Sequence, residues 1–209
     1  MKLAVFDFDS TLMDGETIDF LAEEMGVSQQ IAQITKKAMQ GELDFYESLK
    51  TRVKLLEGMP QKKAVEICHN LPLNLGAKET IAELKKNGYK VVCFSGGFKF
   101  ATEYFRDILG LDGEFSNTLH CKNGKLTGEV GGEMMFDFSK GTMLSVIQRL
   151  LNVCPKNTLV VGDGANDISM FAYAEKKIAF CAKEILKQQA NIIIDKKDLR
   201  EILSHIKSL

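Results

Sequence analysis

Residues 2–11 read KLAVFDFDST, and the rest of the chain is arranged around them. Leu3, Ala4, Val5 and Phe6 make an unbroken apolar run, the pattern of a strand buried on both faces of a parallel sheet. Asp7 and Asp9 follow at once, separated by Phe8. Strand alternation sends both carboxylates to one side and Phe8 to the other. Ligands of open α/β sheets bind beyond the carboxyl ends of the strands, so paired acids there point to a metal or phosphate centre.

Two more strand ends carry matching chemistry. The apolar run at 89–94 leads into Ser95-Gly96-Gly97, and a helical pattern (Phe100, Ala101, Tyr104, Phe105, Ile108) comes next. A strand, a glycine-rich turn and a helix start together aim backbone N–H groups and a helix dipole at one spot, which suits an anion. The run at 158–161 leads into Gly162-Asp163-Gly164-Ala165-Asn166-Asp167, acids and an amide among glycines. Ser139 is expected to cap a helix with Leu144, Ile147 and Leu151 inward. Lys140 in its first turn is electrostatically out of place unless an anion sits nearby.

Between the first strand and the second, the periodicity predicts several helices in succession. Ile18, Leu21, Ala22 and Met25 recur at helical spacing up to Gly26, with Glu16 at the helix start. Ser28 is expected to cap a second helix and Asp44, with Glu47, a third, and Pro60 opens a fourth. Phe45, Leu49 and Arg52 share one face of the third. So many helices exceed a tight βαβ crossover. The expected organisation is therefore an α/β core of residues 1–14 and 73–209 with a helical cap of residues 15–72 inserted after the first strand. Asn123-Gly124, between 118–121 and 125–130, is a strong hairpin signal and predicts a small β insertion at the rim. Shorter helix and strand patterns alternate from 167 onward, ending in a helix from Asp198. The fold class is α/β: a three-layer, Rossmann-like core on a parallel sheet.

Composition narrows the function. The 209 residues are 45% hydrophobic and 26% charged, with a formal charge of −1, and no basic block tracks a nucleic-acid backbone. No stretch is long enough to span a bilayer, and Asp7 interrupts the first apolar run too early for a signal peptide. The five cysteines are scattered without a CxxC pair, and the three histidines lack ligand spacing, so a reducing cytoplasm is expected rather than a disulfide framework or zinc site. The sequence leaves open whether the chain is a monomer or a homodimer.

Taken together, the strand ends and Lys140 suit phosphoryl transfer. An acidic, oxygen-rich site favours Mg²⁺, which also binds phosphate. Asp7 can attack phosphorus to form an aspartyl-phosphate, and Asp9 can protonate the leaving alkoxide and later deprotonate water. Ser95, the Gly96 N–H and Lys140 can hold the phosphoryl oxygens.

DFDST at 7–11, SGG at 95–97, Lys140 and GDGAND at 162–167 resemble the four motifs of the haloacid dehalogenase superfamily. GETIDFLAEEMGV at 15–27, the stretch from Ile31 to Gly58, FSGGF at 94–98, GKLTGEV at 124–130 and GDGANDISM at 162–170 are similar to its phosphoserine phosphatase branch. The resemblance implies that Asp7 is the nucleophile and Asp9 the acid/base, and that Asp163 completes the Mg²⁺ site with the Asp7 carboxylate and the Asp9 backbone carbonyl. It also implies that Asp167 orients Lys140 and that Asn166 and Gly97 lie in the phosphate region. Glu16 and Arg52 would meet the ammonium and carboxylate of O-phospho-L-serine, with Met39 and Phe45 shielding the site. A zwitterionic amino acid does need one anion and one cation, and an arginine fork matches a carboxylate. The implied activity is release of serine and phosphate, a step of serine biosynthesis. A phosphotransferase, a phosphatase for another small phosphomonoester and a non-catalytic phosphoserine binder remain as alternatives. The chain departs from the pattern at Phe8, where Met is usual, at Cys181, where Asn is common, and before the strand at 177–180, where a glycine is missing.

Overall fold

In the structure, a computed structural model that describes residues 1–206, seven strands form one sheet in the order β4-β3-β2-β1-β5-β6-β7. In chain order the elements are β1 (Lys2–Asp7), α1 (Thr17–Met25), α2 (Ser28–Met39), α3 (Phe45–Lys54), α4 (Gln61–His69), α5 (Ala77–Lys86), β2 (Tyr89–Phe98), α6 (Lys99–Leu109), β3 (Gly113–Lys122), β4 (Lys125–Gly132), α7 (Ser139–Leu151), β5 (Thr158–Gly162), β6 (Lys176–Phe180) and β7 (Ile192–Ile194). β1 lies at the centre, parallel to β2 on one side and β5 on the other. Leu3, Ala4, Val5 and Phe6 are fully buried, as the apolar run required. Their alternation builds the layers. Ala4 and Phe6 pack with α5 and α6 on one face, while Leu3 and Val5 pack with Leu144 and Ile147 of α7 on the other.

The helices α1 to α4 fall between β1 and β2, and Leu21, Leu49, Val53 and Ala64 join the same apolar cluster as Ala4 and Phe6. The chain leaves and re-enters the sheet layer side by side. Met13 and Leu73 form an antiparallel bridge, and the buried Asn74 amide donates to the carbonyls of Thr11 (2.8 Å) and Met13 (3.2 Å). Among the described residues, no helix is long and apolar enough to cross a membrane.

Several local expectations need correction. The hairpin does lie at the sheet's edge, but it is longer than expected: β3 starts at Gly113 and pairs parallel with β2, and β4 adds an antiparallel edge, so the sheet is mixed. Polar residues disguised the first half of β3: Glu114 and Ser116 are bonded to each other and are both matched by Thr102 of α6. The Asn123-Gly124 turn itself is as expected, with both residues at positive φ. β2 does not stop at Phe94. Its pairing jumps from Phe94–Phe115 to Phe98–Asn117, four residues against two, so Ser95-Gly96-Gly97 bulges out of the ladder before α6.

Ser28 and Ser139 are first residues of helices, not side-chain caps; the Ser139 hydroxyl instead accepts from the Phe136 N–H at 3.1 Å. Asp44 does cap α3, accepting from the Glu47 N–H at 2.7 Å. The segment after Asp198 is a 3₁₀ helix (Leu199–His205), its first turn tightened by Asp198 accepting from both the backbone and guanidinium of Arg200. Two of the short helical patterns expected from 167 onward shrink to single turns, Ile168–Phe171 and Glu184–Lys187.

Candidate active site

A cavity of about 970 Å³ opens at the carboxyl ends of β1, β2 and β5 and is roofed by residues of α1, α2 and α3. Asp7, Asp9, Glu16, Met39, Phe45, Arg52, Gly96, Gly97, Asp163 and Asn166 all line it. Residues far apart in sequence therefore share one chamber. Met39 stands at its rim, 70% exposed. Ser95, Lys140 and Asp167 are buried behind the lining.

The alternation at 7–9 survives although the strand does not. β1 ends at Asp7, and Phe8–Leu12 makes a wide turn closed by the Met13 N–H on the Phe8 carbonyl, 2.9 Å. Phe8 points away into the core against Phe105, ring centroids 5.5 Å apart, which explains why Phe is tolerated there.

Lys140 ties the Asp7 end of the site together. Its ammonium is 2.6 Å from Asp7 Oδ1 and 2.6 Å from Asp167 Oδ1. The anion that its position at a helix start demanded is thus the protein's own pair of carboxylates. Burial works against its charge, but Asp167 and then Asp7 overcome this and keep it protonated, above the usual lysine range. Asp167 Oδ2 accepts from the backbone N–H groups of Asp163 and Gly164, 3.0 Å each, so both its oxygens are occupied. A Cβ on Gly162 would collide with the Asp167 side chain, which accounts for that glycine.

Asp7, Asp163 and Asp167 can bring one oxygen each within 4.8 Å of one another. Asp7 Oδ1 is taken by Lys140 and by the Phe8 N–H (2.7 Å), leaving Oδ2 without a hydrogen bond among the described residues. The Asp163 carboxylate likewise has no partner among the described residues. Unpaired oxygens on crowded, buried acids are a donor set for a hard cation. Burial first, then neighbouring acids, pushes Asp7 well above the carboxylate range and Asp163 to about 6.

Asp9 faces the helices. Its Oδ2 accepts from Ser95 Oγ at 3.0 Å, and Ser95 Oγ in turn accepts from the Gly97 N–H at 2.8 Å. A Cβ at Gly97 would sit 2.5 Å from Asp9 Oδ2, so this approach admits only glycine. Glu16 accepts from Ser10 Oγ at 3.0 Å and is raised to about 8 by burial and then by Asp9 and Asp163. Arg52 is lowered by burial, with Glu16, Asp19 and Asp9 pulling the other way. Its Nε donates to the Ser48 carbonyl at 3.3 Å, and no ion pair engages it among the described residues. Glu16 and Arg52 thus bring a carboxyl and a guanidinium into one chamber.

Sequence reasoning missed three residues here. Thr17 donates twice to Asp9. Asp19 and Lys183 line the cavity, and Lys183 tempers the acids by lowering Glu16 and Asp163. Helical spacing could have flagged Asp19, one turn past Glu16. Lys183 sits in a loop and left no pattern to read.

These shifts fix a pH dependence. An acid whose folded pKa is raised binds protons better folded than unfolded, so its charging costs stability as pH climbs from about 4 through the folded value. With Asp7 raised, Asp163 near 6 and Glu16 near 8, the metal-free protein is expected to melt at a lower temperature at pH 8 than at pH 5. Asp112 and Asp198 are lowered and finish titrating below this window. Added Mg²⁺ should raise the melting temperature more at pH 8 than at pH 5. Calorimetry with and without chelator checks both, and a metal-free melting temperature that rises steadily over that range would refute the crowded-acid account.

Residues 1–175 match the model of the haloacid dehalogenase-like hydrolases. The phosphoserine phosphatase of Wolinella succinogenes is 66% identical over 99% of this chain and 100% of its own length; that of Methanocaldococcus jannaschii is 50% identical over 99% and 98%. Among solved structures, a phospho-aspartyl intermediate analogue of phosphoserine phosphatase superposes with a TM-score of 0.94 at 50% identity, covering 99% of both chains. A substrate-bound phosphoserine phosphatase complex also gives 0.94 at 50% identity, covering 99% of this chain and 98% of the other.

Proposed function

This chain belongs to the haloacid dehalogenase-like hydrolase family, and from that premise we propose that it is a phosphoserine phosphatase, hydrolysing O-phospho-L-serine to L-serine and phosphate through an aspartyl-phosphate at Asp7. The observation that carries the reading is the single cavity in which Asp7 and Asp9 face Glu16 and Arg52. A phosphate ester bearing both an ammonium and a carboxylate is the small substrate that uses all four groups.

In the first step an Asp7 carboxylate oxygen bonds to phosphorus, the bond from phosphorus to the serine oxygen breaks, and Asp9 gives that oxygen a proton. In the second, Asp9 takes a proton from water as the water oxygen bonds to phosphorus and Asp7 departs. Asp9 ends as it began. Lys140 and the Gly96 N–H hold the phosphoryl oxygens, where stabilising charge is the main work left to the protein, while the single O–H of Ser95 is given to Asp9 Oδ2. Asn166 and Gly97 border the same oxygens, and Asp167 keeps Lys140 aimed at them. Glu16 binds the ammonium and Arg52 the carboxylate, while Phe45 and Met39 shield the chamber. The unpaired oxygens of Asp7 and Asp163, with the Asp9 backbone carbonyl, would hold Mg²⁺. When bound, Mg²⁺ supplies the positive charge that offsets repulsion between carboxylate and phosphate dianion.

Residues 15–72 serve as a cap that excludes water from the chamber, over a core of residues 1–14 and 73–209. A reducing cytoplasm is the proposed compartment, in keeping with five free cysteines.

Phosphate release from phosphoserine, phosphothreonine, phosphoethanolamine and phosphoglycerate, measured side by side with Mg²⁺, tests the assignment. Phosphoserine should lead. Arg52→Ala should lower kcat/KM for phosphoserine by roughly 10²-fold or more, as expected when a charge-assisted fork is lost, but only a few-fold for phosphoethanolamine, which has no carboxylate. Preference for another ester, or equal losses on both, would overturn the substrate while leaving the Asp7 chemistry in place.

A further inference from the structure

We propose that Thr17 is a positioning residue for Asp9, occupying one carboxylate oxygen so completely that the catalytic proton is carried on the other, Oδ2. Thr17 opens α1 and is 1% exposed. Its backbone N–H donates to Asp9 Oδ1 at 2.6 Å and its hydroxyl donates to the same oxygen at 2.5 Å. A carboxylate oxygen has two lone pairs in its plane, and both are used. Oδ2 accepts only Ser95 Oγ, at 3.0 Å, which leaves it one position open.

The two anchors come from opposite walls. Ser95 belongs to the bulge of β2, held by the Gly97 N–H, while Thr17 belongs to the helical segment above. A carboxylate fixed at one oxygen can still rotate about its bond to Cβ. Fixed at both, it presents Oδ2 in one direction. Placement to within a few tenths of an ångström is what separates an efficient general acid from a nearby carboxyl.

The same contacts bind the acid/base to the ammonium site. The Ser10 N–H donates to the Gly15 carbonyl at 2.8 Å, and Ser10 Oγ donates to Glu16 at 3.0 Å. Asp9-Ser10 is therefore stitched to Gly15-Glu16-Thr17, residue beside residue. A shift of Glu16 toward a bound ammonium is passed to Asp9 through Thr17. Substrate recognition and proton delivery are thereby coupled.

The inference rests on the phosphatase reading above, and its test separates the two. Phosphoserine needs a proton on its leaving oxygen; acetyl phosphate does not, because acetate departs as a stable anion. For both, kcat/KM reports events up to phosphorylation of Asp7. Thr17→Val keeps the shape and the N–H donor but removes the hydroxyl. It should lower kcat/KM for phosphoserine about 10- to 100-fold, within the range for impaired general acid catalysis, and for acetyl phosphate less than about 3-fold. Thr17→Ser, which restores the hydroxyl, should recover phosphoserine turnover to within about 5-fold of the parent protein. Equal losses on the two substrates, including the loss of both through misfolding, would overturn the role of Thr17, as would a serine variant no better than valine. Absence of phosphoserine turnover in the unsubstituted protein alongside acetyl phosphate hydrolysis would instead remove the substrate assignment.

Discussion

Asp7→Asn is expected to reduce phosphate release by ~10⁴-fold or more while leaving phosphoserine binding within a few-fold of the parent protein, because an amide is isosteric with the carboxylate but is not a nucleophile of comparable strength. The geometry favours a clean separation of the two. Asp7 Oδ1 accepts from the Phe8 N–H and Lys140, and an amide oxygen can keep both bonds. Glu16 and Arg52, the groups proposed to hold the amino acid, do not touch Asp7. The substitution also removes one acid from the trio with Asp163 and Asp167, and Lys140 retains Asp167 as its counter-charge. Burial and Asp167 already disfavour the charged form of Asp7. The metal-free variant should therefore melt no lower than the parent protein at pH 8. Acid quenching during turnover with radiolabelled phosphoserine should trap label on the parent chain and none on the variant. Residual turnover above about one part in a hundred would remove Asp7 from the nucleophile's place, since direct attack by water would then suffice.

What the sequence disclosed about this site, and what it hid, divides by range. Asp7 and Asp9, Ser95 to Gly97, and Asp163 to Asp167 were legible because each follows directly on an apolar run, and strand ends in an α/β sheet converge. The helices of 17–69 were legible from periodicity, and Asp44 from a cap whose partner lies three residues on. Ser28 and Ser139 misled for the opposite reason. A serine before an apolar pattern offers a cap, but the Ser139 hydroxyl found the Phe136 N–H instead. The start of β3 was hidden by Glu114, Ser116 and Asn117, polar side chains inside a strand. Beyond the bond between Ser116 and Glu114, their partners are Thr102, Met134 and Gly96, outside this stretch, and no local pattern announces such matches. Lys140 gave a partial signal: its position demanded an anion, but not that Asp7 and Asp167 would supply it. Thr17 gave none, because a threonine opening a helix is ordinary until Asp9 is seen across from it.

Lys140→Met should combine the largest loss of stability with a loss of activity, and the two should part company when Asp167 is also changed. Lys140 is 3% exposed, and its ammonium is the sole cation within 4 Å of Asp7 and Asp167 among the described residues. Removing one member of a buried ion network leaves uncompensated charge, typically a cost of ~3–5 kcal/mol. Methionine fills much the same volume, so cavity formation adds little. Because the pKa of Lys140 is raised, the stability it contributes is fully present below the ordinary lysine range, and the deficit should appear throughout pH 6 to 9. It should narrow as pH falls, because protonation of Asp7, already favoured by burial, removes one of the stranded charges. Adding Asp167→Asn should recover a large part of the stability, because the second stranded charge is gone. It should recover none of the turnover, because nothing then meets the phosphoryl oxygens from that side. Urea unfolding of the two single variants and the double variant, in chelator at pH 7, gives the coupling energy directly. A coupling near zero would mean that Lys140 and Asp167 are neighbours without being partners, and the chain of contacts from Asp167 through Lys140 to Asp7 would have to be abandoned.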